Sequence, residues 1–164
     1  MKHDAIHVDP TALAVDVLGE ALNDPAAWAI YSPMRTEPLP AGDLPALDVP
    51  VGDRRPEGNP PRFLVVWSPG AQDVVEGGLV ESPVLEVEAW ATDSREAWRL
   101  AVGALKALRA VAGTRRPVML DNGEVRERTV RSVTRESGPG NLPPGEAGLD
   151  RFRLSVSVRL STRS

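Results

Sequence analysis

The sequence predicts an α+β fold. Its sheet is mainly antiparallel, of four strands or slightly more, with two helices packed on one face, in the order α-β-β-α-β-β. Three observations predict it. Two segments place apolar residues at helical spacing, and several others alternate apolar and polar residues or run apolar over a strand's length. The strand-like segments follow one another without strict βαβ alternation, which argues against a parallel, doubly wound sheet. The chain has 164 residues and no cysteine. That length suits one domain, 1–164, which can bury a core without disulfide or metal staples.

Asp9 can cap a first helix, with Pro10 at the first helical position, where a missing N–H costs little. Ala14, Val15, Leu18, Ala21 and Leu22 then share a face. "NDPAAW" ends this helix, because Pro25 disfavours a helical Asp24. The chain then changes character: half of the 16 prolines lie between Ser32 and Pro61. Such a segment cannot run as a helix or pair as a central strand. It reads as a long loop or an arm, lying either over its own surface or across a neighbouring subunit.

"RFLVVW", Arg62 to Trp67, reads as a strand buried on both faces. "SPGAQDVVEGG" is turn material that can form a hairpin. "VLEVEAWA", Val84 to Ala91, is the next strand: Leu85, Val87 and Ala89 point one way, Val84, Glu86, Glu88 and Trp90 the other. Asp93 and Glu96 form a capping-box-like start to the second helix. Ala97, Leu100, Ala101, Ala104, Leu105, Leu108 and Val111 line its apolar face, and Gly113 ends it. The alanines predict close packing on a sheet.

"PVMLDNGEV" carries a turn signal at Asn122-Gly123, and "VRERTVRSVTR" is an arginine-rich strand. "SGPGNLPPGEAGLD", Ser137 to Asp150, reads as a Gly/Pro loop. In the last strand, Phe152, Leu154, Val156, Val158 and Leu160 alternate with Arg151, Arg153, Ser155, Ser157 and Arg159, which predicts one buried and one wet, basic face.

Composition narrows the chemistry. The net charge is −4, whereas a generic nucleic-acid binder is basic. Without cysteine, thiol catalysis and cysteine-bound zinc are excluded. Both histidines, His3 and His7, precede every element, so a Ser-His-Asp triad has no histidine on the core. There is no phosphate-binding glycine loop, and "DNGE" lacks the rest of a calcium loop. No run of about 18 apolar residues predicts a membrane span, and the first ten residues lack the apolar stretch of a signal peptide. All but two of the 19 basic residues, Lys2 and Lys106, are arginine, the usage of a GC-rich genome.

What remains is carboxylates and guanidiniums. Glu86 and Glu88 stand about 6.6 Å apart along one strand face, a spacing compatible with a hydrolase's carboxylate pair. Nothing else in the sequence completes such a site. The other use of that face is ion pairing. Arg126, Arg128, Arg131, Arg151, Arg153 and Arg159 are candidate partners, either within one sheet or across a subunit boundary. Trp98, at the edge of its helix's apolar face, is a candidate interface aromatic.

Four stretches in this order carry a resemblance: "LNDPAAW" after the first helix, "SPVLEVEAWATDSREAWRLA" as strand into helix, "ESGPGNLP", and "DRFRLSVSVRL" as closing strand. Together they resemble the tail terminator proteins of long-tailed bacteriophages, in particular those of actinobacterial phages. The likeness spans Asp9 to Trp28 and Arg62 to Leu160, and rests on the ordered set. It implies a structural protein without cofactor or metal, with helices packed on a sheet. Its partners would be itself, as a homohexameric ring, the tail tube protein and the head–tail connector (stopper) protein. DNA would only pass through the ring, and no membrane is involved. The expected location is the head-proximal end of the virion tail, and the host cytoplasm during assembly. Another head–tail completion protein or a tube subunit is the alternative within this class. The Pro-rich arm at 32–61 departs from the family pattern.

Overall fold

The computed structural model describes residues 7–24, 49–69, 73–75, 80–143 and 148–161. In chain order the elements are α1 (Pro10–Leu22), β1 (Val51–Gly52), β2 (Arg62–Trp67), β3 (Asp73–Val75), β4 (Val80–Ser82), β5 (Val84–Ala91), α2 (Ser94–Ala110), β6 (Arg115–Met119), β7 (Val125–Leu142) and β8 (Asp150–Ser161). The fold is α+β: two helices against a mixed, curled sheet.

The helices start where the caps predict. The Asp9 carboxylate accepts from the Ala12 amide, with Pro10 at the first position, and the Asp93 carboxylate accepts from the Glu96 amide. Each cap satisfies a backbone donor that the helix itself leaves orphaned. Past α2, Gly113 takes a φ of 82° and turns the chain into β6, a conformation that costs glycine little.

Along the sheet the order is β1-β2-β5-β8-β7. β4 continues the line of β5 beyond Pro83, and both pair with β8; β3 pairs with β4 much as β2 pairs with β5. Of the stretch "SPGAQDVVEGG", Asp73–Val75 is strand rather than turn, and residues 70–72 and 76–78 lie outside the described residues. β7 is shared: Val125–Thr129 pair with β6, and the strand from Val130 on pairs with β8. The turn between β6 and β7 holds Gly123 at a φ of 85°, as the Asn-Gly signal predicts.

Three expectations need correction. The sheet is larger than four strands and mixed, with β1 parallel to β2, and the order α-β-β-α-β-β gains β1 before β2 and β3 and β4 between β2 and β5. β1 lies inside the Pro-rich stretch, at a sheet edge, where only two residues need ladder partners. The predicted loop from Ser137 is strand as far as Leu142. Its Gly-Pro-Gly stretch is accommodated by register shifts between Ser137 and Gly140. Residues 25–48, with Trp28 and most of the arm, lie outside the described residues.

Both helices share one apolar cluster with the sheet. Leu13, Leu18 and Leu22 of α1 and Leu100, Ala101, Ala104 and Leu108 of α2 meet Leu64, Val66, Leu85, Val87, Leu154, Val156 and Leu160. Small α2 side chains let the helix approach the sheet closely. This layer turns the even positions of β8 inward and leaves the odd ones on the opposite face.

A buried carboxylate ties the curl together. The backbone of 7–9 runs beside the end of β6: the Asp9 amide donates to the Met119 carbonyl and the Asp121 amide to the His7 carbonyl. On β4, Glu81 is only 4% exposed. Its carboxylate accepts from the Val8 amide at 3.0 Å and lies 3.1 Å from His7 Nδ1. One side chain thereby joins the segment before α1 to the sheet.

Candidate functional site: the charged sheet face

Strand register assembles the face opposite the helices in cross-strand rows. Trp67 lies beside Glu86 and Ser155; Val65 beside Glu88 and Arg153; Phe63 beside Trp90 and Arg151. Side chains directly opposite on paired strands share a face, so the predicted grouping of Glu86, Glu88 and Trp90 holds. Their partners come from β8. Arg151 Nη1 lies 3.0 Å from Glu88 Oε1, and Arg153 Nε lies 3.4 Å from Glu86 Oε2. Both pairs run diagonally across the ladder, within one chain.

Aromatic rings flank these pairs. Phe63 and Trp90 stack with centroids 5.4 Å apart. The guanidinium of Arg55, from the loop after β1, sits 5.0 Å from the Trp90 ring and 5.7 Å from Phe63, and Arg151 is 5.2 Å from Trp90. Arg153 lies 4.8 Å from the Trp67 ring. A guanidinium over an aromatic face is attracted by the ring quadrupole. Arg151 and Arg153 are therefore each held between a ring and a carboxylate, and Arg55 lies over two rings.

The remaining candidates lie elsewhere. Arg126 pairs with Glu124 at 2.8 Å near the β6–β7 turn, and Arg128 donates to the Glu127 carbonyl. Arg131 is exposed and has no ion-pair partner among the described residues. Arg159 lies opposite Ser132 on the β7–β8 ladder, away from both glutamates. Trp98 is half-buried on α2, in the helix layer. The structure thus unites Glu86, Glu88, Arg151 and Arg153, and separates them from Arg126, Arg128, Arg131, Arg159 and Trp98.

Sequence reasoning missed Arg55 and Glu81. Arg55 reaches its rings from a loop, where no periodicity marks it. Glu81 lies two residues before Pro83, in a stretch that reads as turn, and its burial depends on the backbone of Val8.

Chemically, this face holds charges already engaged with each other. Glu86 and Glu88 stand side by side on one strand rather than across a cleft. Three grooves on the described surface are lined respectively by Asp9, Asp16 and Asp53 with neighbours; by Glu20, Asp24 and Arg116 with neighbours; and by Arg62, Asp93 and Glu96 with neighbours. Glu86 and Glu88 line none of these three. Among the described residues no group of three or more His, Asp or Glu side chains is placed to hold a metal ion, and no helix is long and apolar enough to cross a membrane.

The two pairs differ in burial, and that sets their weight. The side chains of Arg151 and Glu88 are 28% and 11% exposed, those of Arg153 and Glu86 45% and 19%. A Glu88→Gln variant is expected to lose about 1–3 kcal/mol, the scale of a charge-assisted hydrogen bond to a group shielded from water. Glu86→Gln is expected to lose less, about 1 kcal/mol, because its more exposed arginine is partly screened by water. Urea midpoints measured side by side check the ranking, and equal losses would show that burial does not decide it.

No protein-family model matches this chain, and no curated protein sequence matches it.

Proposed function

We propose that this chain is a structural protein of a phage tail: a tail terminator that forms a ring at the head-proximal end of the tail tube, stops tube growth and joins the tail to the head connector. The supporting observation is the order of elements. The resemblance implies a helix, a strand that feeds directly into a second helix, and a closing strand against a sheet with helices on one side. α1, β5 into α2, and β8 have those places here.

The charged face supports a non-enzymatic reading. Each glutamate of the possible acid/base pair is held by an arginine of the neighbouring strand, and catalytic carboxylate pairs flank a substrate from both sides. An acidic balance, −4 overall, suits a ring through which DNA passes without sticking, because like charge repels the phosphate backbone.

The genetic test is interruption of this reading frame in the phage that encodes it. Filled heads and separate tails with tubes of unregulated length are the expected products. Tubes of normal length that merely fail to join heads would point to a connector component. Loss of all tubes would point to a tube subunit.

A further inference from the structure

The sheet has an open edge. β6 covers β7 only at Val125–Thr129, and Thr114 extends that contact to Val130. Beyond it, the side of β7 that faces away from β8 has no strand partner among the described residues. An edge of this kind offers free N–H and C=O groups to another strand. Register shifts between Val130 and Ser132 and again between Arg135 and Ser137 leave Ser132–Arg135 as the regular run. Irregularities on either side restrict what can add there.

This edge is basic within an acidic chain. Arg131 and Arg135 are exposed, and Arg128, in the part of β7 that β6 covers, is half-buried. Arg128 and Arg135 donate only to backbone carbonyls, and Arg131 has no ion-pair partner among the described residues. Glu136 is the one acidic residue between Val130 and Leu142. The strand order ends on the other side at β1, which is two residues long. Beside it an open groove is lined by Asp9, Asp16 and Asp53 together with uncharged residues, and no basic side chain lines it. Asp16 and Asp53 are exposed, and the exposed Arg54 next in the chain approaches Asp53 at 3.4 Å.

The two ends of the strand order therefore differ in charge: the β7 edge is basic, and the lining of the groove beside β1 is acidic. Pairing β7 with β7 of a second copy about a two-fold axis would set arginine-rich strands against each other, which like-charge repulsion disfavours. Pairing the β7 edge of one copy with the β1 end of the next matches sign to sign. Such a contact is head-to-tail, and head-to-tail contacts generate rings when the rotation closes. We propose that copies of this chain associate in this way, with Arg131 and Arg135 of one subunit docked against Asp16 and Asp53 of the next. This names the surfaces of the ring proposed above and rests on that reading.

The absence of native cysteine makes thiol cross-linking specific. A chain carrying both Arg135→Cys and Asp53→Cys, treated with a short bismaleimide during assembly on tail tubes, is expected to give a ladder of linked multimers. Each single variant should stay monomeric on a denaturing gel. Dimers from Arg135→Cys alone would overturn the proposal in favour of a two-fold contact. No ladder, while the wild-type chain still forms rings on tubes, would overturn the proposed surfaces and leave the ring reading standing. No ladder and no wild-type ring would overturn both.

Charge reversal gives a second measurement. Arg131→Glu with Arg135→Glu is expected to lower ring yield at least about tenfold, on the scale of close interfacial charge pairs. Adding Asp16→Arg and Asp53→Arg to the same chain should restore it. Undiminished yield from the first variant, or no recovery in the second, would contradict the assignment. Folding is checked by the urea midpoint of each variant.

Discussion

Replacing Gly138 by alanine is expected to destabilise the fold by about 3 kcal/mol or more, a large fraction of a typical domain's stability. Two costs add. Gly138 holds a φ of +80°, where an alanine is strained by roughly 1–2 kcal/mol. A Cβ there would also collide with the Arg153 carbonyl oxygen and lie 2.9 Å from the Leu154 Cα. Both obstacles are backbone of β8, the strand at the centre of the sheet, so neither can swing aside. Relief requires β7 to leave β8 beside Arg153, the partner of Glu86. Gly140→Ala is the control. Its Cβ meets nothing within 4 Å and its φ is not positive, so it should cost less than about 1 kcal/mol. Urea unfolding of the two variants checks the contrast, and equal midpoints would remove the steric account.

Glu81→Ala is expected to cost about 2–4 kcal/mol, but by a different route. It deletes the acceptor of the Val8 amide and the partner of His7, and it leaves a cavity beside β8. Removing one partner of a buried polar contact leaves the other desolvated, which costs more than the contact itself contributes. The effect should be local before it is global, because Glu81 holds the segment before α1. Amide exchange at Val8 should accelerate well beyond that of β8 amides such as Leu154. Uniform acceleration at both sites would mean that Glu81 supports the whole sheet rather than this one attachment.

These two positions show what the sequence could and could not disclose. The helix starts were legible because Asp9 and Asp93 act on amides three residues away, and local patterns record local contacts. β5 was legible to its last residue, because a strand's period of two fixes which of its side chains share a face. Glu86 and Glu88 could be placed on the polar face for the same reason. Their partners could not, because alternation does not say which strand lies beside which. Six arginines were equally eligible, and the β5–β8 pairing selected Arg151 and Arg153.

The sequence hides the end of β7, because glycine and proline read as punctuation. Next to β8 they occupy register shifts, where an amide donor is dispensable. β1 has no pattern of its own; two residues in a proline-rich stretch pair because the edge of β2 lies beside them. Glu81 gave no signal because its burial depends on a contact more than seventy residues away in the chain.

The account as a whole turns on whether this chain closes the end of a tube. Electron micrographs of tail tubes polymerised with and without the purified chain test it most directly. The expected result is a single ring-shaped density at one end of each tube, with growth halted when the chain is present. Tubes with two identical bare ends, growing equally in its presence and absence while the chain remains unbound, would contradict it.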